Sequence, residues 1–82
     1  MLPTITYDQK ADAIAVDFVP RQANDTAHTE ELDEFRRIDY NAAGDPIGLD
    51  LTSVSEGITL EGLPYRDEVA AALRSLATLA VA

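Results

Sequence analysis

The residues of this sequence that could do chemistry are chiefly carboxylates. Asp39, Asn41, Gly44 and Asp50 fall at spacings that match parts of a calcium loop, where oxygen donors surround a glycine turn. Ala43 stands where a third ligand is needed, Pro46 stands where an apolar residue belongs, and both flanks alternate with period two. The segment therefore reads as a β-hairpin turn. Glu30, Glu31, Asp33 and Glu34, with His28 beside them, are donors that suit a hard divalent cation. A run of like charges is more often a solvated face, so no metal or other cofactor is assigned there. Asp8, Asp12 and Asp17 form a third group. Asp8 and Asp12 bracket a tight turn, where aspartate bonds its own backbone, and nothing in the pattern buries two of these acids together as acid–base catalysis requires.

Nucleophilic catalysis has few parts to draw on. Ser53, Ser55 and Ser75 share one histidine, His28, and no Gly-x-Ser-x-Gly elbow or glycine-rich phosphate loop is present. Arg36 and Arg37 interrupt the acidic stretch and could meet an anionic ligand. The plainer expectation is local neutralisation, Arg37 with Asp50 and Arg36 with Asp33 or Glu34. The reading leans away from an enzyme.

The elements that position these groups are two hairpins and a helix. Ile5-Thr6-Tyr7-Asp8 and Ala13 to Val19 alternate apolar and polar residues around Gln9-Lys10-Ala11-Asp12, which gives strands over 4–8 and 13–19. With Lys10 and Ala11 at the tip, Tyr7 faces Ile14 and Ile5 faces Val16 on one apolar face. Thr6 with Ala15 and Thr4 with Asp17 lie on the other, and a slip of one residue would invert every side chain. Pro20 ends the second strand, and Arg21 to Ala27 is a polar loop. Residues 28–33 can add a short edge strand, whose acids discourage pairing with another molecule.

Strands over 35–41 and 46–52 form the second hairpin, with Gly44 supplying the positive φ of its turn. This register sets Tyr40 against Ile47, Ile38 against Leu49 and Arg37 against Asp50. Tyr7 and Tyr40 then belong to the core. Residues 53–62 are irregular, with Ile58 and Leu60 as plugs. Pro64 opens a helix over 65–81 whose stripe holds Val69, Leu73, Leu76, Ala77 and Ala80. The expected architecture is α+β: one domain over 1–82, an antiparallel meander of about four strands with the C-terminal helix packed on or beside it.

Composition narrows the function classes. The chain has 82 residues, 46% apolar and 26% charged, which suits one globular domain and excludes wholesale disorder. No cysteine is present, so disulfides, thiolate metal sites and thiol nucleophiles are out. The formal net charge of −9 argues against nucleic acid as a partner. The acidity sits in the middle: residues 25–62 hold ten acids against Arg36 and Arg37. No apolar run is long enough for a membrane span and no secretory leader pattern opens the chain, so the expected setting is cytoplasmic.

Five pieces occur in an order that resembles a known family: Ile5-Thr6-Tyr7-Asp8, Ala11-Asp12-Ala13, Ile38-Asp39-Tyr40-Asn41, Gly44, and Ile47-Gly48-Leu49-Asp50-Leu51. They resemble the bacterial domain-of-unknown-function family 2283, the YuzE-like proteins, over roughly residues 4–64. Val54 to Gly57 and Leu60 to Pro64 fit the tail of some members. Arg36 and Arg37 depart from that pattern, where apolar or small residues are expected. The resemblance implies a small cytoplasmic bacterial protein with no catalytic residues to carry over. It also implies, through the small basic toxin-like proteins encoded beside some relatives, a basic partner.

Three functional expectations follow. The first is a non-catalytic interaction module, antitoxin-like or regulatory, that offers Glu30, Glu31, Asp33, Glu34, Arg36, Arg37 and Asp39 to a small basic protein. The second is a small-ligand binder or enzyme with an unrecognised pocket. The third is a homo-oligomer assembled through the helix 65–81.

Overall fold

The structure, a computed structural model, describes residues 3–22 and 24–75. Its elements are β1 (Thr4–Asp8), β2 (Ala13–Asp17), β3 (His28–Asp33), β4 (Arg36–Tyr40), β5 (Pro46–Thr52), the 3-10 turn η1 (Val54–Glu56) and α1 (Arg66–Leu73). The α+β expectation holds, but the sheet has five antiparallel strands in the order β1-β2-β5-β4-β3. It is not a simple meander. β2 hands the chain across the bottom of the sheet to the far edge, and β3, β4 and β5 return strand by strand until β5 closes against β2. At about 4.8 Å per strand, that crossing covers roughly 14 Å.

The first hairpin has the expected register throughout, with Tyr7 opposite Ile14 and Ile5 opposite Val16. In the second, Ile38 opposes Leu49 and Arg37 opposes Asp50, but a bulge between Asp39 and Tyr40 sets Tyr40 against Pro46 rather than Ile47. Proline offers no N–H to the ladder, and a bulge is where a strand tolerates it. β2 stops at Asp17 rather than 19, and β4 spans 36–40 rather than 35–41. Val19 and Phe35 are consequently exposed. Tyr7 is also exposed, because β1 is an edge strand and the cover over the apolar face does not enclose it.

Period-two alternation sorts the sheet into two faces. Ile14, Val16, Ile38, Leu49 and Leu51 point to one face and form a buried cluster with Val54, Ile58, Leu60, Leu63, Val69, Ala70 and Leu73. Ile58 and Leu60 thus plug the core, as expected of them. Each valine, leucine or isoleucine among them, fully buried, contributes about 1.5–3 kcal/mol. α1 buries Val69, Ala70, Ala72 and Leu73, so this helix packs on its own sheet. Arg74 and Ser75 form a turn after it; the rest of the helix expected over 65–81, with Leu76, Ala77 and Ala80, lies outside the described residues.

η1 is fastened by the first hairpin. The Ser55 N–H and Oγ donate to the Asp12 carboxylate at 2.9 and 2.7 Å, and the Val54 N–H donates to the Asp12 carbonyl at 3.2 Å. Asp8 plays the local turn role expected of it, accepting from the Ala11 N–H at 3.1 Å. Asp12 acts at a distance instead.

Candidate functional site

β3 ends the sheet, and five of its six residues are exposed. Alternation turns Glu30 toward the covered side and Glu31 toward the open side, so carboxylates flank the strand's free backbone edge. The Tyr40 hydroxyl donates to Glu30 at 3.2 Å, and the His28 ring lies 5.3 Å from the Tyr40 ring. Partial desolvation, then the hydrogen bond and charge of Glu30, push the Tyr40 hydroxyl above its usual range. Glu31 pairs with Arg37 at 3.1 Å, both side chains being more than half exposed. Arg37 therefore reaches outward to Glu31 rather than forming the expected ion pair with Asp50. An exposed pair of this kind adds at most about 1 kcal/mol. Glu34 stands exposed in the turn between β3 and β4.

The other predicted contact residues are structural. Asp33 accepts from the Phe35 N–H at 2.9 Å and from Arg36 at 2.8 and 2.9 Å. The bond from Arg36, followed by that from Phe35, holds its carboxyl below the usual carboxylate range. Arg36 forms the expected pair with Asp33 and also donates to the carbonyls of Thr59, at 3.1 Å, and Glu61. It ties the irregular 57–62 segment to the sheet. Among the described residues Asp39 is the buried charged side chain, at 8% exposure, and it lies on the face opposite the apolar core. It accepts from Thr29 Oγ1 at 2.7 Å and from Arg21 at 3.2 Å, and presents little to a partner.

Arg21 is the residue that sequence reasoning missed. From the loop joining β2 to β3 it reaches over the open face, donating to Asp17 at 3.2 Å, Asp39 at 3.2 Å and Thr26 at 2.7 Å. It lies over Gly48, where a Cβ would overlap its guanidinium and stand 2.9 Å from the Val16 carbonyl oxygen. The signal was present as Gly48 between two apolar neighbours in a strand, since a strand glycine often marks a close approach.

Asp50 lies on the same face in a cleft of about 330 Å³ with Thr6, Asp8, Ala15, Arg37 and Thr52. Desolvation by the surrounding sheet, then the Asp39 charge, push its carboxyl above the ordinary 3.8, with Arg21 and Arg37 acting against them. The folded state thus binds this proton more readily than the unfolded chain does. Ionised Asp50 opposes folding above its raised pKa, and that penalty fades as pH falls through it. Asp50→Asn is therefore expected to raise the thermal midpoint at pH 7 and leave it unchanged at about pH 3, as scanning calorimetry at both pH values would register.

The remaining chemical groups are dispersed. The Asn41 Oδ1 accepts from the N–H groups of Ala43 at 3.0 Å and Asp45 at 2.9 Å, closing the turn after β4. His28 belongs to the β3 edge, Ser55 to η1 on Asp12, and Ser75 Oγ donates to the Ala72 carbonyl at 2.6 Å. No helix among the described residues is long and apolar enough to cross a membrane.

The family model described as "Protein of unknown function (DUF2283)" matches residues 4–55, from β1 into η1. No curated protein and no solved structure matches the chain.

Proposed function

We propose, given that this chain belongs to the DUF2283 family, that it is a non-catalytic interaction module of the bacterial cytoplasm, antitoxin-like or regulatory, that captures a small basic protein on its acidic edge. The observation that supports this reading is the exposed edge strand β3, which carries Glu30 and Glu31 and leads into Glu34. Charge of one sign on a rigid edge steers a basic partner into encounter. It also disfavours pairing with a second copy, because like charges would oppose one another across the new ladder. The mechanism is occlusion: the partner's basic surface is covered by β3 and the turn after it. Asp33, Arg36 and Asp39 shape and anchor this edge, while Glu30, Glu31, Glu34 and Arg37 form its contact surface.

The test is retention of a basic protein by the tagged chain from nuclease-treated lysate at two salt concentrations, followed by association kinetics with the purified protein. The reading expects retention at low salt and loss at high salt. Replacing Glu30, Glu31 and Glu34 together with glutamine is expected to slow association about tenfold at low salt without lowering the thermal midpoint. Association indifferent to both salt and substitution would sink it.

A further inference from the structure

A second surface is built differently. Where β2 ends and β5 begins, Phe18, Val19, Pro46 and Tyr65 wall an open cleft of about 440 Å³, with Asp45 and Glu68 also lining it. Phe18 and Tyr65 meet edge to face, ring centres 4.9 Å apart at 67°. Tyr65 is 52% exposed and Val19 44%. Tyr65 also sits at φ 52°, ψ 44°, a left-handed conformation that costs a bulky L residue about 1–2 kcal/mol. It makes no side-chain cap for α1, so helix capping does not explain the strain. A glycine would form this turn more cheaply; what tyrosine adds is an exposed aromatic ring.

We infer that this cleft receives an arginine side chain from a partner polypeptide. Among the described residues the lining holds two carboxylates and no cation, so its charge is complementary to a base. The apolar walls suit the methylene stem, and the rings suit a planar, weakly hydrated guanidinium, which stacks on aromatic faces and donates to carboxylates in a fork. The positive end of α1 lies close by, and Asp67 and Glu68 in its first turn offset it. Of the chain's six basic side chains, Lys10, Arg21, Arg36 and Arg37 are placed elsewhere, in the β1–β2 turn, over Gly48, against the 57–62 segment and on Glu31, while Arg66, the first residue of α1, and Arg74, after its end, do not line the cleft. The cleft shares no residue with the acidic edge, so either surface can fail without the other.

The experiment is an NMR titration of the full chain with N-acetyl-Gly-Arg-Gly-amide, its citrulline counterpart and free arginine. The arginine peptide is expected to give saturable shifts at Phe18, Val19 and Tyr65, and the isosteric but neutral citrulline peptide to bind about tenfold more weakly. Asp45→Asn with Glu68→Gln should weaken the arginine peptide severalfold. Tyr65→Gly keeps the left-handed turn without strain, so it should stay folded and still lose the peptide. Equal binding of the citrulline peptide, shifts confined to Glu30 and Glu31, or no saturable shift would overturn the inference. Free arginine binding as tightly as the peptide would overturn the polypeptide source.

Discussion

Gly48→Ala is expected to destabilise the fold by about 2–3 kcal/mol, which lowers the thermal midpoint of a domain this size by roughly 10–20 °C. The added methyl group meets two obstacles of different character. Arg21 is a long side chain and can swing aside, but only by leaving Asp17 and Asp39. The Val16 carbonyl oxygen, 2.9 Å from the new Cβ, belongs to the central strand β2 and cannot move without bending the sheet. Alanine recovers about 0.5–1 kcal/mol by restricting the unfolded chain, which trims the loss without reversing it. Calorimetry of the single variant and of Gly48→Ala with Arg21→Ala separates the obstacles. The double variant should lose less than the sum of the two singles, because one clash is already gone. A midpoint for Gly48→Ala close to that of the parent would mean that nothing crowds this position.

Gly48 also marks where the sequence stopped being legible. The hairpin β1–β2 could be read to the residue, because its apolar pairs stand within a dozen positions of one another and a slip would invert both faces. Ile38 with Leu49 followed for the same reason. The Asp39–Tyr40 bulge did not, because alternation assumes an unbroken ladder and Pro46 breaks it. Strand order was hidden too. Which strand β2 adopts as its second neighbour depends on a long connection of polar residues without periodicity, and local pattern says nothing about where such a loop lands. The site suffered from the same blindness. The acids of β3 and its turn were visible as a charge run, and their exposure follows from the edge position. Asp39 belongs to the same run, yet its partners Arg21 and Thr29 stand 18 and 10 residues away, one in the unreadable loop. The acidic pair in the aromatic cleft is drawn from far apart in the chain, Asp45 from the β4–β5 turn and Glu68 from α1.

Asp39→Ala should cost about 2–3 kcal/mol, since it removes a charge-assisted acceptor from a largely buried position and leaves the Thr29 hydroxyl and one side of the Arg21 guanidinium without it. A cycle with Arg21→Ala should return a coupling of roughly 1–2 kcal/mol, because both single changes break the same 3.2 Å pair. The conservative Asp39→Asn retains an oxygen for Thr29 and loses the charge facing Arg21, so its penalty should be smaller. Its value lies in what it separates. Charge removed at Asp39 should lower stability and leave capture of a basic partner nearly unchanged once the chain is folded. Charge removed at Glu30, Glu31 and Glu34 should do the reverse, slowing capture while stability holds or rises as like charges are relieved. Equilibrium unfolding and association kinetics measured on both variants decide the matter. Were Asp39→Asn to slow association as much as the triple change at unaltered stability, Asp39 would be a contact residue, and its burial against Thr29 and Arg21 would have to open when the partner arrives.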